Sequence, residues 1–188
     1  MSTTRLDLFD NSAYKPGPLV ARVVWTFVSA CFFQTWIPWP NGLKRSLLRA
    51  FGAKVGRGVV VKPRVTIKYP WKLSIGDHCW IGEKVWIDNL GQVTLGNHCC
   101  LSQGALLLCG NHNYKRPTFD LIVGDITLED GVWIGARASL GPGVTCGSHS
   151  VLAMGSTATS DLEAWGVHQG NPAQAKAERT IKKAESLH

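Results

Sequence analysis

An aliphatic residue returns at every sixth position through most of this chain, and that beat restricts the fold more than any other feature of it. It falls at Val55, Val61 and Ile67, at Ile75, Ile81 and Ile87, and at Leu95, Leu101 and Leu107. Between these blocks the step is eight, so equivalent positions recur every 20 residues. After an interruption the six-residue beat resumes at Leu128, Ile134, Leu140, Cys146, Leu152 and Ala158. Strands alternate with period two and helices with period 3.6, and neither puts a large aliphatic at every sixth place. The spacing describes short strands joined by corners, coiling so that each residue type stacks on its own kind. Glycine follows the aliphatic residue in VGRGVV, IGDHCW, IGEKVW, LGNHCC, IGARAS, LGPGVT and CGSHSV, where it is expected to supply backbone freedom at the corner.

Stacking at 20 residues puts Val59, Cys79 and Cys99 at one equivalent position and His78 with His98 at another. Successive turns are expected about 4.8 Å apart, with Cys79 and Cys99 in an inner ladder. The six cysteines, Cys31, Cys79, Cys99, Cys100, Cys109 and Cys146, contain no CxxC pair, and the start MSTTRLDLFD is no signal peptide. Both features point to reduced, packed thiols and a cytoplasmic location. Hydrophobic residues make up 45% and charged residues 18% of the 188, which argues against disorder.

The stretch LLLCGNHNYKRPTFDLIVGD, residues 106–125, breaks the beat and carries His112. Five turns are countable, three before this loop and two after it. His78, His98 and His149 all stand three places after an inward residue, on corners, and His168 lies in the connection leaving the coil. His112 alone lies in the excursion. A histidine exchanges protons near neutral pH, so this one is the candidate base.

The run ITLEDGVWIGARASLGPGVTCGSHSVLAMGSTATSD, followed by GNPAQ, resembles the hexapeptide-repeat acyltransferases, over roughly Val55 to Lys176. A closer resemblance, over nearly the whole chain, is to sugar O-acetyltransferases of the colanic-acid, exopolysaccharide-synthesis kind. It is carried by YKPGP, LKRSLLRAFGAKVG, KPRVTIKYPWKLSIGDHCWIGEKVWIDNL, LSQGALLLCGNHNY and GNPA. The resemblance implies an all-β solenoid, a left-handed parallel β-helix over 55–172 with loop 108–127. An N-terminal arm over 1–54 carrying a hydrophobic helix, and a C-terminal helix over 173–188, complete the expected organisation.

The activity implied is direct transfer of acetyl from acetyl-CoA to a hydroxyl of a sugar in an exopolysaccharide precursor, by a homotrimer with sites between subunits. His112 then acts as general base, with Asp88, Asn89 and Asn111 as polar groups that position it or the acceptor. Cys109 is close enough in sequence to suggest a Cys/His pair, but direct transfer needs no nucleophile. Trp133, Ala136 and Met154 fall where the family contacts the pantetheine arm and nucleotide. The related galactoside branch has basic residues where this chain has Ser160, Gln174 and Ala177, so Lys176 or Arg179 would meet the CoA phosphates. That branch also has an acceptor-binding asparagine where Gly82 stands, so its acceptor geometry does not carry over. No metal is expected. The alternatives are a γ-carbonic-anhydrase-like zinc site using His78, His98 and His112, and a non-catalytic β-helix used for interaction.

The formal charge is +7, with cations grouped at Lys44, Arg45, Arg49, Lys54, Arg57, Lys62, Arg64, Lys68 and Lys72, and at Lys176, Arg179, Lys182 and Lys183. No zinc-finger or RNP-like signature accompanies them, so nucleic acid is not an expected partner. Leu19 to Ile37 is an apolar run near bilayer-spanning length, diluted by Arg22, Thr26, Ser29, Gln34 and Thr35 and ended by Pro38 and Pro40. It reads as a helix packed on the solenoid or on a neighbouring subunit, or as one lying on the inner face of the membrane.

Overall fold

The computed structural model describes residues 3–182. Residues 54–158 form a left-handed parallel β-helix of five complete turns. The first turn holds β1 (Lys54–Val55), β2 (Val60–Val61) and β3 (Thr66–Ile67), and the second β4 (Leu73–Ile75), β5 (Trp80–Ile81) and β6 (Trp86–Asp88). The third holds β7 (Val93–Leu95), β8 (Cys100–Leu101) and β9 (Leu106–Leu108). A hairpin of β10 (Gly110–His112) and β11 (Leu121–Val123) then leaves the coil. The fourth turn holds β12 (Ile126–Leu128), β13 (Trp133–Ile134) and β14 (Ser139–Leu140), and the fifth β15 (Thr145–Cys146), β16 (Val151–Leu152) and β17 (Thr157–Ala158). The strands stack in three parallel sheets, β1-β4-β7-β12-β15, β2-β5-β8-β13-β16 and β3-β6-β9-β14-β17, which are the first, second and third faces of a triangular prism. A sixth turn begins with a bridge from Cys146 to Leu162.

Every residue of the six-residue beat except Val55 is buried. Each Val, Leu and Ile among them contributes about 1.5–3 kcal/mol as it leaves water, and their stacking makes one continuous core. The thiol ladder is also present: Cys79 and Cys99 are buried, and each sulfhydryl donates to a carbonyl of the turn above, Gly96 and Glu129, at 3.0 Å.

Except at Gly141, where a Cβ would make only ordinary contacts from 3.4 Å, the glycine after the inward residue has a different cause from the one expected. Gly76 has an ordinary backbone, but a Cβ there would stand 2.6 Å from the carbonyl carbon and oxygen of Gly96. Contact between successive coils, not conformational freedom, requires the missing side chain. The left-handed conformation instead falls two places further on, at Arg64, His78, Lys84, His98, Arg137 and His149, with φ between 56° and 60°. Such a φ costs an L-residue roughly 1–2 kcal/mol. Replacing the exposed Arg137 by glycine should therefore raise stability by about 0.5–1 kcal/mol after glycine's own entropy cost, read as a higher urea midpoint.

The turns are of two sizes. Leu128 pairs with Cys146 18 residues on, whereas Ile75 pairs with Leu95 at 20. The extra residues lie between the third face and the first, and the hairpin leaves from this same widened corner. Asn89 holds the corner together: wholly buried, its Oδ1 accepts the Tyr69 N–H at 2.9 Å, and its amide donates to the Tyr69 and Lys72 carbonyls at 2.6 and 3.0 Å.

The N-terminal arm covers the open end of the solenoid. Helix α1 (Leu19–Phe32) ends short of the apolar run, and α2 (Asn41–Ala50), which the sequence reading did not separate, follows it. An uncovered first coil would present a row of unpaired backbone groups. Trp25 Nε1 donates to the Ile67 carbonyl, Lys44 Nζ to those of Val61 and Lys62, Arg45 to Val59 and Arg49 to Val55. Much of the cationic cluster is consumed in this cap, and the Lys44 side chain is fully buried by it.

The expected C-terminal helix is not formed over the described residues. β18 (Gly166–Gly170) adds to β16, and the chain reverses at Asn171 and Pro172 into β19 (Ala173–Glu178), antiparallel to β18. A sheet edge offering unpaired N–H and C=O groups outweighs the helix propensity of an Ala-rich segment. Residues 183–188, including Lys183, lie outside the described residues.

Candidate active site

His112 is the last residue of β10, opposite Leu121 in the hairpin. Its Nδ1 donates to the carbonyl of Phe119 at 2.9 Å. A carbonyl can only accept, so the proton sits on Nδ1 and Nε2 keeps its lone pair. Phe119 also stacks on the imidazole, with centroids 4.4 Å apart and an 8° tilt. Its backbone is in the left-handed region, φ 52°, where a bulky residue is strained. The opposite strand thus holds this histidine by carbonyl and ring together.

Further support comes from the N-terminal strap. Phe9 meets the imidazole edge-on at 5.5 Å, and the Arg5 N–H donates to the Pro117 carbonyl at 2.8 Å. Tyr14 and Lys72 both donate to the Leu90 carbonyl, at 2.8 and 2.6 Å, and tie the YKPGP segment to the widened corner. Neither Phe119 nor Phe9 was singled out in the sequence. A seven-residue separation around a loop, or more than 100 residues of chain, gives no periodic signal.

The polar groups expected around His112 divide. Asn111 is adjacent, and its Oδ1 accepts the His112 N–H at 2.8 Å. Asn89 is spent on the corner below. Asp88 lies at the foot of the hairpin, where its carbonyl accepts the Cys109 N–H at 3.2 Å; its carboxylate is 2.8 Å from the Lys68 ammonium without hydrogen-bond geometry and lines a cleft of ≈ 280 Å³ with Trp25, Thr26 and Gln34 of the arm. Of the groups around the hairpin, Phe119 is the one whose carbonyl and ring both meet the imidazole. Cys109 is buried, and desolvation pushes its thiol up to about 11, which keeps it protonated at neutral pH and unfit as a nucleophile. His78 and His98 stack on each other at 5.3 Å on the corner between the first and second faces, away from the corner that carries the hairpin. Among the described residues no group of three or more His, Cys, Asp or Glu side chains is placed to hold a metal.

Trp133, Ala136 and Met154 do come together. With Ser102, Gln103 and Val167 they line a largely apolar groove of ≈ 430 Å³ on the corner between the second and third faces. Trp133 Nε1 donates to Ser102 Oγ at 2.9 Å, which fixes a half-exposed indole against the groove wall. Ser102 and Gln103 also line the next cleft along that corner, which ends at Lys62 and Trp80. Arg179 does not reach the groove. Its guanidinium donates to the carbonyls of Gly131 and His149 at 2.8 and 3.1 Å, on the far edge of the second face. Lys176 is exposed on β19.

The chain matches a family of hexapeptide repeats of succinyl-transferase type over residues 125–160. It is 36% identical over 167 residues to the protein named as the colanic acid biosynthesis acetyltransferase WcaF of Escherichia coli, covering 88% of this chain and 91% of that one. A hexapeptide-repeat acetyltransferase of Vibrio cholerae, solved with acetyl-CoA, superposes with a TM-score of 0.77 at 23% identity, covering 86% and 88%. A galactoside acetyltransferase solved with coenzyme A gives a TM-score of 0.76 at 25% identity, covering 85% and 80%. Repeat, insertion and relatives agree, and the chain belongs to the hexapeptide-repeat acetyltransferases.

Proposed function

We propose that the protein moves the acetyl group of acetyl-CoA directly to a hydroxyl of a sugar in an exopolysaccharide precursor, with His112 as general base. The observation that carries this reading is the Nδ1–H bond to Phe119, which leaves Nε2 free to take a proton. As the acceptor oxygen attacks the thioester carbonyl, Nε2 removes the hydroxyl proton. The tetrahedral oxyanion then collapses, the C–S bond breaks, and the imidazolium returns its proton to the departing CoA thiolate. The Phe119 carbonyl stabilises the imidazolium in between. Its name places the WcaF relative in colanic acid synthesis, which supports a polysaccharide precursor as acceptor.

CoA lies along the groove of Trp133, Ala136 and Met154, its pantetheine arm on the apolar wall. His112 leaves one edge of the third face and this groove occupies the other. That separation supports a homotrimer in which one subunit's hairpin meets the next subunit's groove. Incubation with acetyl-CoA and a panel of free and lipid-linked sugars, followed by thiol release and by the mass of the product, tests the reading. Release of CoA thiol coupled to one acetyl gained by a sugar is the expected result, and acetylation of amines alone would overturn it. Phe119→Ala should lower kcat about tenfold, as the imidazole loses its stacking partner and turns more freely, with KM for acetyl-CoA unchanged.

A further inference from the structure

Helix α1 is apolar on both sides. Trp25 and Ser29, with Phe33 beyond its end, are buried towards the first coil, while Leu19, Val20, Val23, Val24 and Phe27 point away and are exposed. Trp36 and Ile37 extend this exposed surface past the helix end. A helix with two apolar sides needs a second apolar environment.

The charge around this face indicates which one. Residues 11–76 contain eleven Lys and Arg and no Asp or Glu, while the chain as a whole is +7. The remainder is therefore −4. Part of the positive charge is spent in capping the coil, but Arg64 and Lys84 remain exposed and lie 4.3 and 5.6 Å from the centre of the Trp36 ring. Of the three acids on the second coil, Asp77 and Asp88 are paired with Arg57 and Lys68, and Glu83 is exposed beside Lys84 in the chain. Glu83 lines the neighbouring cleft. An indole beside two stacked cations, continuing an apolar helix face, matches the boundary between acyl chains and anionic headgroups. Face-to-face packing of two copies would instead bring like charges together.

We propose that this face docks the protein on the surface of an anionic phospholipid bilayer, with α1 lying in the interface. The helix is 14 residues, about 21 Å at 1.5 Å per residue, too short for a hydrocarbon core of about 30 Å. Among the described residues no helix is long and apolar enough to cross a membrane. The arm caps one end of the solenoid, so in a ring of parallel solenoids every copy presents its α1 on the same side. Docking does not depend on the acetyl-transfer reading.

The test is co-sedimentation of the full chain with vesicles of three parts phosphatidylcholine to one part phosphatidylglycerol, compared with phosphatidylcholine alone. Binding is expected on the anionic vesicles, weakening at least tenfold as salt rises from about 0.1 to about 1 M, where screening shortens from about 10 to about 3 Å. The double substitution Val23→Gln, Phe27→Gln should lower partitioning at least tenfold. Arg64→Gln with Lys84→Gln should lower it by about thirtyfold, since each cation near an anionic surface is worth about 1 kcal/mol. Both pairs are exposed, so melting temperature should hold. Equal binding to neutral vesicles, or partitioning unmoved by either pair, would overturn the proposal. A smaller assembly by light scattering for the Val23→Gln, Phe27→Gln protein would also overturn it, assigning the face to a second copy of the chain.

Discussion

His112→Ala should reduce acetyl transfer by about 10²–10⁴-fold, the range of a positioned base, while CoA binding and melting temperature stay near those of the unaltered protein. The separation follows from where the side chain sits. His112 is on a hairpin outside the coil, and its ring contacts are Phe9 and Phe119 of the strap and hairpin. The groove of Trp133 and Met154 is built from strands and corners that the hairpin does not contribute to. Steady-state kinetics with calorimetric titration of CoA separates the two effects. Turnover near that of the unaltered protein would remove His112 from the reaction, and loss of CoA binding would show that the hairpin is needed for the groove to form.

Gly76→Ala should act in the opposite way, on folding before catalysis. The added methyl would meet the carbonyl carbon and oxygen of Gly96 at 2.6 Å, backbone atoms that move only if the coils separate. Overpacking a rigid site costs about 3 kcal/mol or more, equivalent to a fall in Tm of roughly 6–12 °C for a chain of this length. Thermal denaturation with circular dichroism reads it directly. A fall of a degree or less would mean that the coils slide apart freely, contrary to the close stacking described above. The contrast with Arg137→Gly is useful: adding a side chain at one place in the hexapeptide and removing one two places further on are expected to shift stability in opposite directions.

The solenoid was legible in the sequence because its cause is periodic. One inward aliphatic per six residues leaves a direct trace, and Ile75, Leu95 and Leu128 stack as the spacing requires. The role of Gly76 was misread because a glycine needed for close approach and one needed for positive φ look the same as letters. The terminal strand Ala173–Glu178 was read as a helix because local propensity is visible in the sequence and an unpaired sheet edge is not. Around the site, the repeat led to His112, and the family likeness brought Trp133, Ala136 and Met154 into one groove. Asp88 was read from sequence order, one turn below Leu108; its carbonyl meets the Cys109 N–H at the foot of the hairpin, while its carboxylate is beside Lys68 on a neighbouring coil, a contact between turns that the spacing does not mark. Phe119 acts through a backbone carbonyl, a group that every residue carries and no sequence pattern marks.

The base of the hairpin is closed by backbone bonds of the coil itself: Gly124 N–H to the Cys109 carbonyl, Ile126 N–H to that of Gln92, and the Asp125 carboxylate accepting from the Gln92 N–H at 2.7 Å. Val93 and Ile126 pair as neighbours although they are 33 positions apart in the chain. The hairpin is thus a side branch whose length and composition can change without disturbing the ladder on either side. Under the proposed function, variation at the branch changes the surroundings of His112 while the scaffold that lines the Trp133 groove stays fixed, so the two halves of the site are separately inheritable.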